Sequence, residues 1–288
     1  MTGPERSRVA QSGPSKPRFL IAGLLELVLA SACLVGSIAA YKRLVHPAIA
    51  TLFSLGADAS SLVRRFGLLA VIVLSYWGFV HFYERRAAQE LAFRWDWAML
   101  AAGAGALSIG VTIVALYATG HYRLVALRGL VPAGDVLGML AIAAVLEEVA
   151  FRGILFRLLE KRIGTPAAAG VSALVFGVAH MGNNGTGAVT LLVVTLAGLM
   201  WAGLYVLTRN LWVTAAHHFC WNATIFVIGL PLSGDGDVRA QAPLVTTYHG
   251  SSLWTGGAFG PEDSLINIVV MIAICAALWR LAPRAQPA

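Results

Sequence analysis

A helix of about 20 apolar residues is long enough to cross the hydrocarbon core of a bilayer. This chain carries one such run after another, at roughly 19–40, 66–83, 97–118, 135–158, 166–180, 187–208, 211–231 and 264–282. The segment 166–180 is the short one. Of the 288 residues 58% are hydrophobic and 12% charged, where soluble domains carry about 25% charged residues. The chain is therefore read as an all-α, polytopic membrane helix bundle with about eight transmembrane helices. A multi-pass integral protein of this kind sits in the cell membrane if the source is bacterial. A single transmembrane domain over 19–283 follows a Pro-, Ser-, Gly- and Arg-rich stretch, 1–18, with the composition of a disordered tail. Residues 19–40 are longer than the apolar region of a signal peptide, so they are expected to remain as the first helix. Pro47 to Gly56 is apolar but too brief to cross, and is expected to lie in the interface.

The net charge of +7 and pI near 9.7 do not point to nucleic acid, because the basic residues fall in short clusters between the apolar runs. With the N-terminus inside, the cytoplasmic segments hold thirteen Lys and Arg and the outer segments seven, namely Lys42, Arg43, Arg64, Arg65, Arg123, Arg128 and Arg239. Both termini are thus expected in the cytoplasm. Cys33, Cys220 and Cys275 all fall within apolar runs and imply no disulfide framework. Small residues at four-residue spacing, Ala102, Ala106 and Gly110 in the third run and Gly198 and Ala202 in the sixth, predict close helix contacts. Thr165 and Pro166 are expected to open the fifth helix as cap and first residue, and Gly182 to Gly185 to close it.

Within the fourth run lies Glu147-Glu148-Val-Ala-Phe151-Arg152-Gly153. Charges at bilayer depth cost at least a few kcal/mol each before pairing. Glu148 and Arg152 are four residues apart, acid first, which favours an ion pair on one helical face. Glu147 is turned about 100° away and shares its face with Phe151. It has no intrahelical cation, which suits it to proton exchange.

Three more polar groups lie in later runs: His180 in Phe176-Gly-Val-Ala-His180, then His218, and Asn222 one turn beyond it. At about 1.5 Å per residue, the depths from the expected cytoplasmic ends are roughly 16 Å for Glu147, 21 Å for His180 and 11 Å for His218. The three helices thus bring polar groups to overlapping levels, nearer the inner face. Singly, each has an ordinary reading as an interhelical hydrogen-bonding group; together they read as a functional cluster. Glu26 and His81 stand apart, with no partner that spacing supplies. Asp235 and Asp237 fall in the connection 232–263, expected to be a solvated outer turn or partial lid.

EExxxR (Glu147 to Arg152), FxxxH (Phe176 to His180) and HxxxN (His218 to Asn222), in that order on successive membrane helices, resemble the CPBP family of intramembrane proteases. That family takes in the CAAX prenyl endopeptidases and the bacteriocin-processing or self-immunity proteins once called the Abi family. The resemblance covers about 135–231. It implies that Glu147 with His180 activates a water, that His218 with Asn222 stabilises the oxyanion, and that Glu148 and Arg152, with Phe151 and Phe176, hold the site in shape. Glu147, His180 and His218 are also a donor set of the kind zinc accepts, so metal-dependent and purely glutamate-driven chemistry both stay open; the absence of HExxH sets aside the site-2 metalloproteases. His217 is an alternative to His218, and the HxxxN register favours His218.

The leading expectation is an intramembrane endopeptidase cutting a membrane-associated protein or peptide near the cytoplasmic half of the bilayer. Prenylated C-terminal peptides are one substrate class that the resemblance implies. The alternatives are a proton-coupled transporter, suggested by the short fifth helix ending in a Gly/Asn-rich segment, and a non-catalytic immunity or scaffold protein.

Overall fold

A computed structural model describes residues 16–129, 133–235 and 237–282. Most of the expected tail, with Arg6 and Arg8, lies outside the described residues, as does Arg284. Helix α1 (Lys16–Ala40) begins already at Lys16 and runs through a π-helical segment, Tyr41–Val45, into α2 (His46–Leu52). Pro47 sits in the first turn of α2, where its missing N–H costs nothing. The apolar stretch expected to lie apart in the interface is thus an extension of the first helix. Helix α3 (Ala57–Gly78) starts nine residues earlier than expected, so Arg64 and Arg65 are helical, and it ends in a second π segment, Phe79–Tyr83. Then come α4 (Trp95–Ala118), β1 (Tyr122–Leu127), α5 (Ala133–Glu148), a third π segment (Val149–Phe156), α6 (Arg157–Ile163), α7 (Thr165–Ala179), α8 (Ala188–Thr208), α9 (Leu211–Ile228), β2 (Leu244–Tyr248), α10 (Ser252–Thr255) and α11 (Leu265–Leu281).

Five of the described helices are long and apolar enough to cross a membrane, Ile21–Leu52, Ala57–Tyr83, Trp95–Ala118, Ala188–Thr208 and Leu211–Ile228; Thr165–Ala179 and Leu265–Leu281 are apolar but shorter. The run from α5 through α6 is interrupted by Glu147, Glu148 and Arg152. Large apolar side chains such as Leu24, Val28, Val35, Leu100, Leu107, Val114, Val269 and Ile272 are exposed at helical intervals, the pattern expected where lipid is the solvent.

The helix ends sort into two opposite faces. On the terminal face, Arg157 makes two bonds of 2.7 and 2.8 Å to Glu84, Arg86 bridges Glu84 and Glu90, and Arg209 grips Glu160 at 2.6 and 2.9 Å. Glu26, isolated in the sequence, pairs with Lys161 and Arg162. Burial alone would raise the Glu84 carboxyl, but the Arg157 and Arg86 guanidiniums outweigh it and hold it below its usual range. Thr165 is not the cap of α7: Gly164 takes that place, and the Thr165 hydroxyl donates to Glu160. On the other face, β1 pairs antiparallel with β2, joining the ends of α4 and α9. Gly229 makes this possible, ending α9 at φ +79°, with the Leu244 carbonyl only 2.1 Å from where a Cβ would stand. Arg65 pairs with Asp135 at 2.7 Å, and Asn183 donates to the Ser233 carbonyl at 2.8 Å.

The connection after α9 is not a solvated turn. Val238, Ala242, Thr246, Phe259, Glu262, Asp263 and Ser264 are all buried, so this hairpin face is capped by packed chain. Helices α4 and α9 pack closely along Ala98, Ala101, Gly105, Ile109 and Thr112, a strip of buried α4 residues at helical spacing. A Cβ on Gly105 would lie 2.2 Å from the His217 carbonyl oxygen, whereas Gly110, one of the small residues expected at the contact, meets nothing within 4 Å. In α8 the expectation holds at Gly198, whose Cβ would lie 2.8 Å from the Ala173 Cα of α7.

Gly105→Ala should therefore push α4 off α9, lowering thermal stability by about 1–3 kcal/mol as overpacking does, while Gly110→Ala leaves it unchanged; unfolding of the two variants in detergent compares them. Burial, with Glu262 alongside, pushes the Asp263 carboxyl up to about 7 against the Thr190 hydrogen bond. A carboxyl raised in the fold contributes stability at acid pH that is lost as pH climbs through 7. Asp263→Asn should accordingly gain on the parent protein between about pH 4 and pH 8, the gap in melting temperature widening across that interval.

Candidate active site

The site is built around Glu148, which is fully buried. Its Oε1 accepts from Arg152 Nη1 and from His218 Nδ1, both at 2.9 Å. The ion pair expected from four-residue spacing is present, and a helix distant in sequence supplies its third member. Arg152 Nη2 donates to the Gly198 carbonyl at 3.1 Å, at the point where Gly198 lets α8 lie against Ala173 of α7. The guanidinium carbon also lies 4.9 Å from the Phe176 ring, 5.5 Å from Trp201 and 6.0 Å from Phe151. Aromatic faces attract a cation, so Phe151 and Phe176 shelter this charge from the tails around it. Removing one member of such a buried pair typically costs about 3–5 kcal/mol.

The segment that carries Arg152 is the π-helical stretch Val149–Phe156. Widened turns of this kind occur most often at functional sites. This one follows directly after the two glutamates and lets Gly153 pack against the Tyr76 ring and Leu211, where a Cβ would be 3.0–3.2 Å from each.

Glu147 points the other way from Glu148. Its Oε2 lies 3.9 Å from His180 Nε2 and 3.8 Å from His218 Nε2 and has no hydrogen-bond partner among the described residues. The tautomers follow from the outer nitrogens. His180 Nδ1 lies 2.8 Å from the Phe176 carbonyl, which can only accept, so that nitrogen carries the proton and explains the FxxxH spacing. His218 Nδ1 likewise donates to Glu148. Both Nε2 atoms therefore face Glu147, at distances too long for direct hydrogen bonds and suited to a bridging water. Asn222 lines the same cleft one turn beyond His218, together with Glu147, His180, Asn183, Asn184, Ser233, Gly234 and Asp235; its volume is about 470 Å³. Glu147 also closes one end of a second, apolar groove of about 740 Å³ between α1 and the π segment, lined by Leu34, Val35, Ile38, Leu146, Ala150 and Phe151.

His217 faces elsewhere, accepting from Trp201 Nε1 at 3.1 Å. Of the neighbouring histidines, His218 is the one against both glutamates. Among the described residues no three of His, Cys, Asp or Glu are grouped closely enough to hold a metal ion.

Three neighbours escaped the sequence reading. Trp201 stacks on His218 with centroids 3.8 Å apart and fixes the ring plane. Trp221 Nε1 donates to Glu262 at 3.2 Å, and Glu262 also accepts from the Ser233 backbone and hydroxyl at 2.8 and 2.9 Å. Burial pushes the Glu262 carboxyl above its usual range against those bonds. Glu262 thus ties the loop that bears Ser233, on the rim of the cleft, to α9. Small residues around Trp201 in α8 were the only signal of a close contact there. Glu262 carried no signal, lying in a polar loop.

A buried carboxylate–imidazole–guanidinium cluster beside a second, half-exposed carboxylate and another imidazole, all at a polar cleft in an apolar bundle, has the parts for moving a proton and steadying negative charge. No curated protein matches this chain. Residues 129–224, which hold both glutamates, Arg152, both histidines and Asn222, match the Rce1-like family described as type II CAAX prenyl endopeptidase. Over that third of its length the chain is similar to the CAAX prenyl endopeptidase type of protease, and its apolar helices make it a multi-pass membrane protein.

Proposed function

We propose that the protein is an endopeptidase that hydrolyses a peptide bond of a membrane-associated protein or peptide with a water activated by Glu147 and His180. The observation that carries this reading is the convergence of two Nε2 atoms on one unpartnered Glu147 oxygen at 3.8–3.9 Å. A water between Glu147 and His180 gives its proton to the Glu147 carboxylate as its oxygen attacks the scissile carbonyl. The oxyanion is met by Asn222 Nδ2–H and by His218 Nε2–H, the ring carrying a proton taken from water in the cleft before attack and kept through turnover. Glu148 orients the ring by accepting from Nδ1, and Trp201 keeps it in plane. Glu147 then passes its proton to the leaving amine, and the carboxyl product retains the water oxygen. Arg152 leaves Glu148 neutralised but still able to accept from His218. No step needs a metal.

The cluster sits at one cleft rather than strung along a path across the bundle, which favours hydrolysis over proton-coupled transport.

Glu147→Gln removes the base and should lower kcat at least about 100-fold, as loss of a general base does; His180→Ala should fall in the same range. Asn222→Ala should cost about 100-fold in kcat with KM little changed. Cleavage of a fluorogenic peptide by detergent-purified protein measures all three, and undiminished turnover in Glu147→Gln would sink the mechanism. Exhaustive treatment with a zinc chelator should leave turnover intact, with elemental analysis before and after showing no stoichiometric transition metal; activity restored only by added zinc is the contrary result.

A further inference from the structure

Two membrane-length helices carry basic side chains at one level inside their spans. Lys42 and Arg43 lie more than two helical turns before the end of the span Ile21–Leu52, and Arg64 and Arg65 about two turns after the start of the span Ala57–Tyr83. Tyr41 sets the two pairs side by side. Its buried hydroxyl donates to the Val63 carbonyl at 2.7 Å, and its ring fills the place that a Cβ on Gly67 would need. Lys42 and Arg43 belong to the π segment Tyr41–Val45, a widened turn of the kind that gathers at functional sites.

On the terminal face Arg86, Arg157, Lys161, Arg162 and Arg209 each reach a carboxylate. Arg65 does so too, through Asp135 at 2.7 Å, and its stem lies over Gly138, where a Cβ would be 3.1 Å from the Arg65 Cδ. Among the described residues Lys42, Arg43 and Arg64 have no such partner. A charge within a membrane span calls for a counter-charge or for water. Lys42, Arg64 and Arg65 line one pocket of about 620 Å³ together with Asp135, Asp235 and Gln241. Cations outnumber carboxylates on its lining by three to two, and Arg43 follows next along the helix. The pocket turns apolar inward: Leu68 lies one turn deeper than Arg64 along α3, and Met139 and Ile142 one and two turns deeper than Asp135 along α5. It shares Met139 and Asp235 with the polar cleft at Glu147 but none of its cations.

We propose that this pocket binds an anionic phospholipid, its phosphate between Lys42, Arg64 and Arg65 and an acyl chain over Leu68, Met139 and Ile142. The charge selects the headgroup, because guanidinium forks and an ammonium match phosphate oxygens, while a zwitterionic lipid brings an ammonium that these cations repel. The depth selects a lipid, because the cations lie inside apolar spans, at a level that a soluble anion or an acidic peptide reaches only by leaving water. The gradient from a charged rim to an apolar floor is that of an amphiphile, and basic pockets between membrane helices are suited to lipid headgroups. Bound there, the lipid joins α1 and α3 to α5, the helix that ends at the two glutamates, and adds to the stability of the fold by mass action. The site is non-covalent and stands independently of the hydrolytic reading.

The test uses the full chain in a neutral detergent with added dioleoyl phosphatidylglycerol or dioleoyl phosphatidylcholine. Native mass spectrometry should find phosphatidylglycerol retained under conditions that strip phosphatidylcholine, and only the anionic lipid should raise the melting temperature, by several degrees. Lys42→Gln combined with Arg64→Gln should weaken that retention by about tenfold or more and abolish the shift, while the lipid-free melting temperature stays that of the parent, since neither side chain has a partner to lose. Should the double variant not fold, Arg64→Gln alone makes the same comparison. Arg123→Gln combined with Arg280→Gln removes two exposed charges elsewhere and should leave both readouts unchanged; an equal loss there would reduce the effect to overall charge and overturn the site. Glycerol 3-phosphate, a headgroup without chains, should neither shift melting nor displace the lipid at millimolar concentration. If it replaces the lipid, the pocket is a site for soluble phosphate and the proposal fails. Equal retention of the two lipids, or displacement of phosphatidylglycerol by a soluble acidic peptide, overturns it as well.

Discussion

A carboxylate with no exposure, Glu148, is tolerated inside this bundle because a guanidinium and an imidazole reach the same oxygen at 2.9 Å. Each partner is fixed by something further out. Arg152 is held by the Gly198 carbonyl and a wall of aromatic rings, and His218 by the face of Trp201. Alone, any of these charges would favour unfolding or the displacement of its helix. Joined, they lock α8, α9 and the π segment into a single register. Glu147 is then left pointing into the cleft with its Oε2 unclaimed.

The contact between α4 and α9 serves the same end from behind. Gly105 brings the α4 backbone against the His217 carbonyl, and His217 accepts from the Trp201 indole. His217 and His218 thus divide the work, one holding Trp201 from its edge and the other receiving its ring face. On the hairpin face, Glu262 ties the Ser233 loop to Trp221, so the mouth of the cleft is fastened to the helix that supplies His218 and Asn222.

Glu147, Glu148 and Arg152 were legible in the sequence because charge in an apolar run has to be explained, and His180, His218 and Asn222 because helical spacing puts each in reach of one level. Trp201 and Trp221 were not, since a tryptophan in an apolar run reads equally well as facing lipid or packing inside. Glu262 looked solvated, because nothing in the string Pro261-Glu262-Asp263 says that the chain folds back over it. Helix periodicity marked small residues on α4 but not which of its faces meets α9, hence Gly110 in place of Gly105. Apolar length foretold helices well and their ends less well: a π segment lets α1 run on past Lys42 and Arg43, and another carries the fourth run from Val149 to Phe156.

Glu147 borders both the polar cleft and the oily groove along α1. The carboxyl is therefore a phase boundary. Under the proposed hydrolysis, a chain lying in the oily strip and water held in the polar cleft would come together at this one side chain, with no need to wet the strip itself.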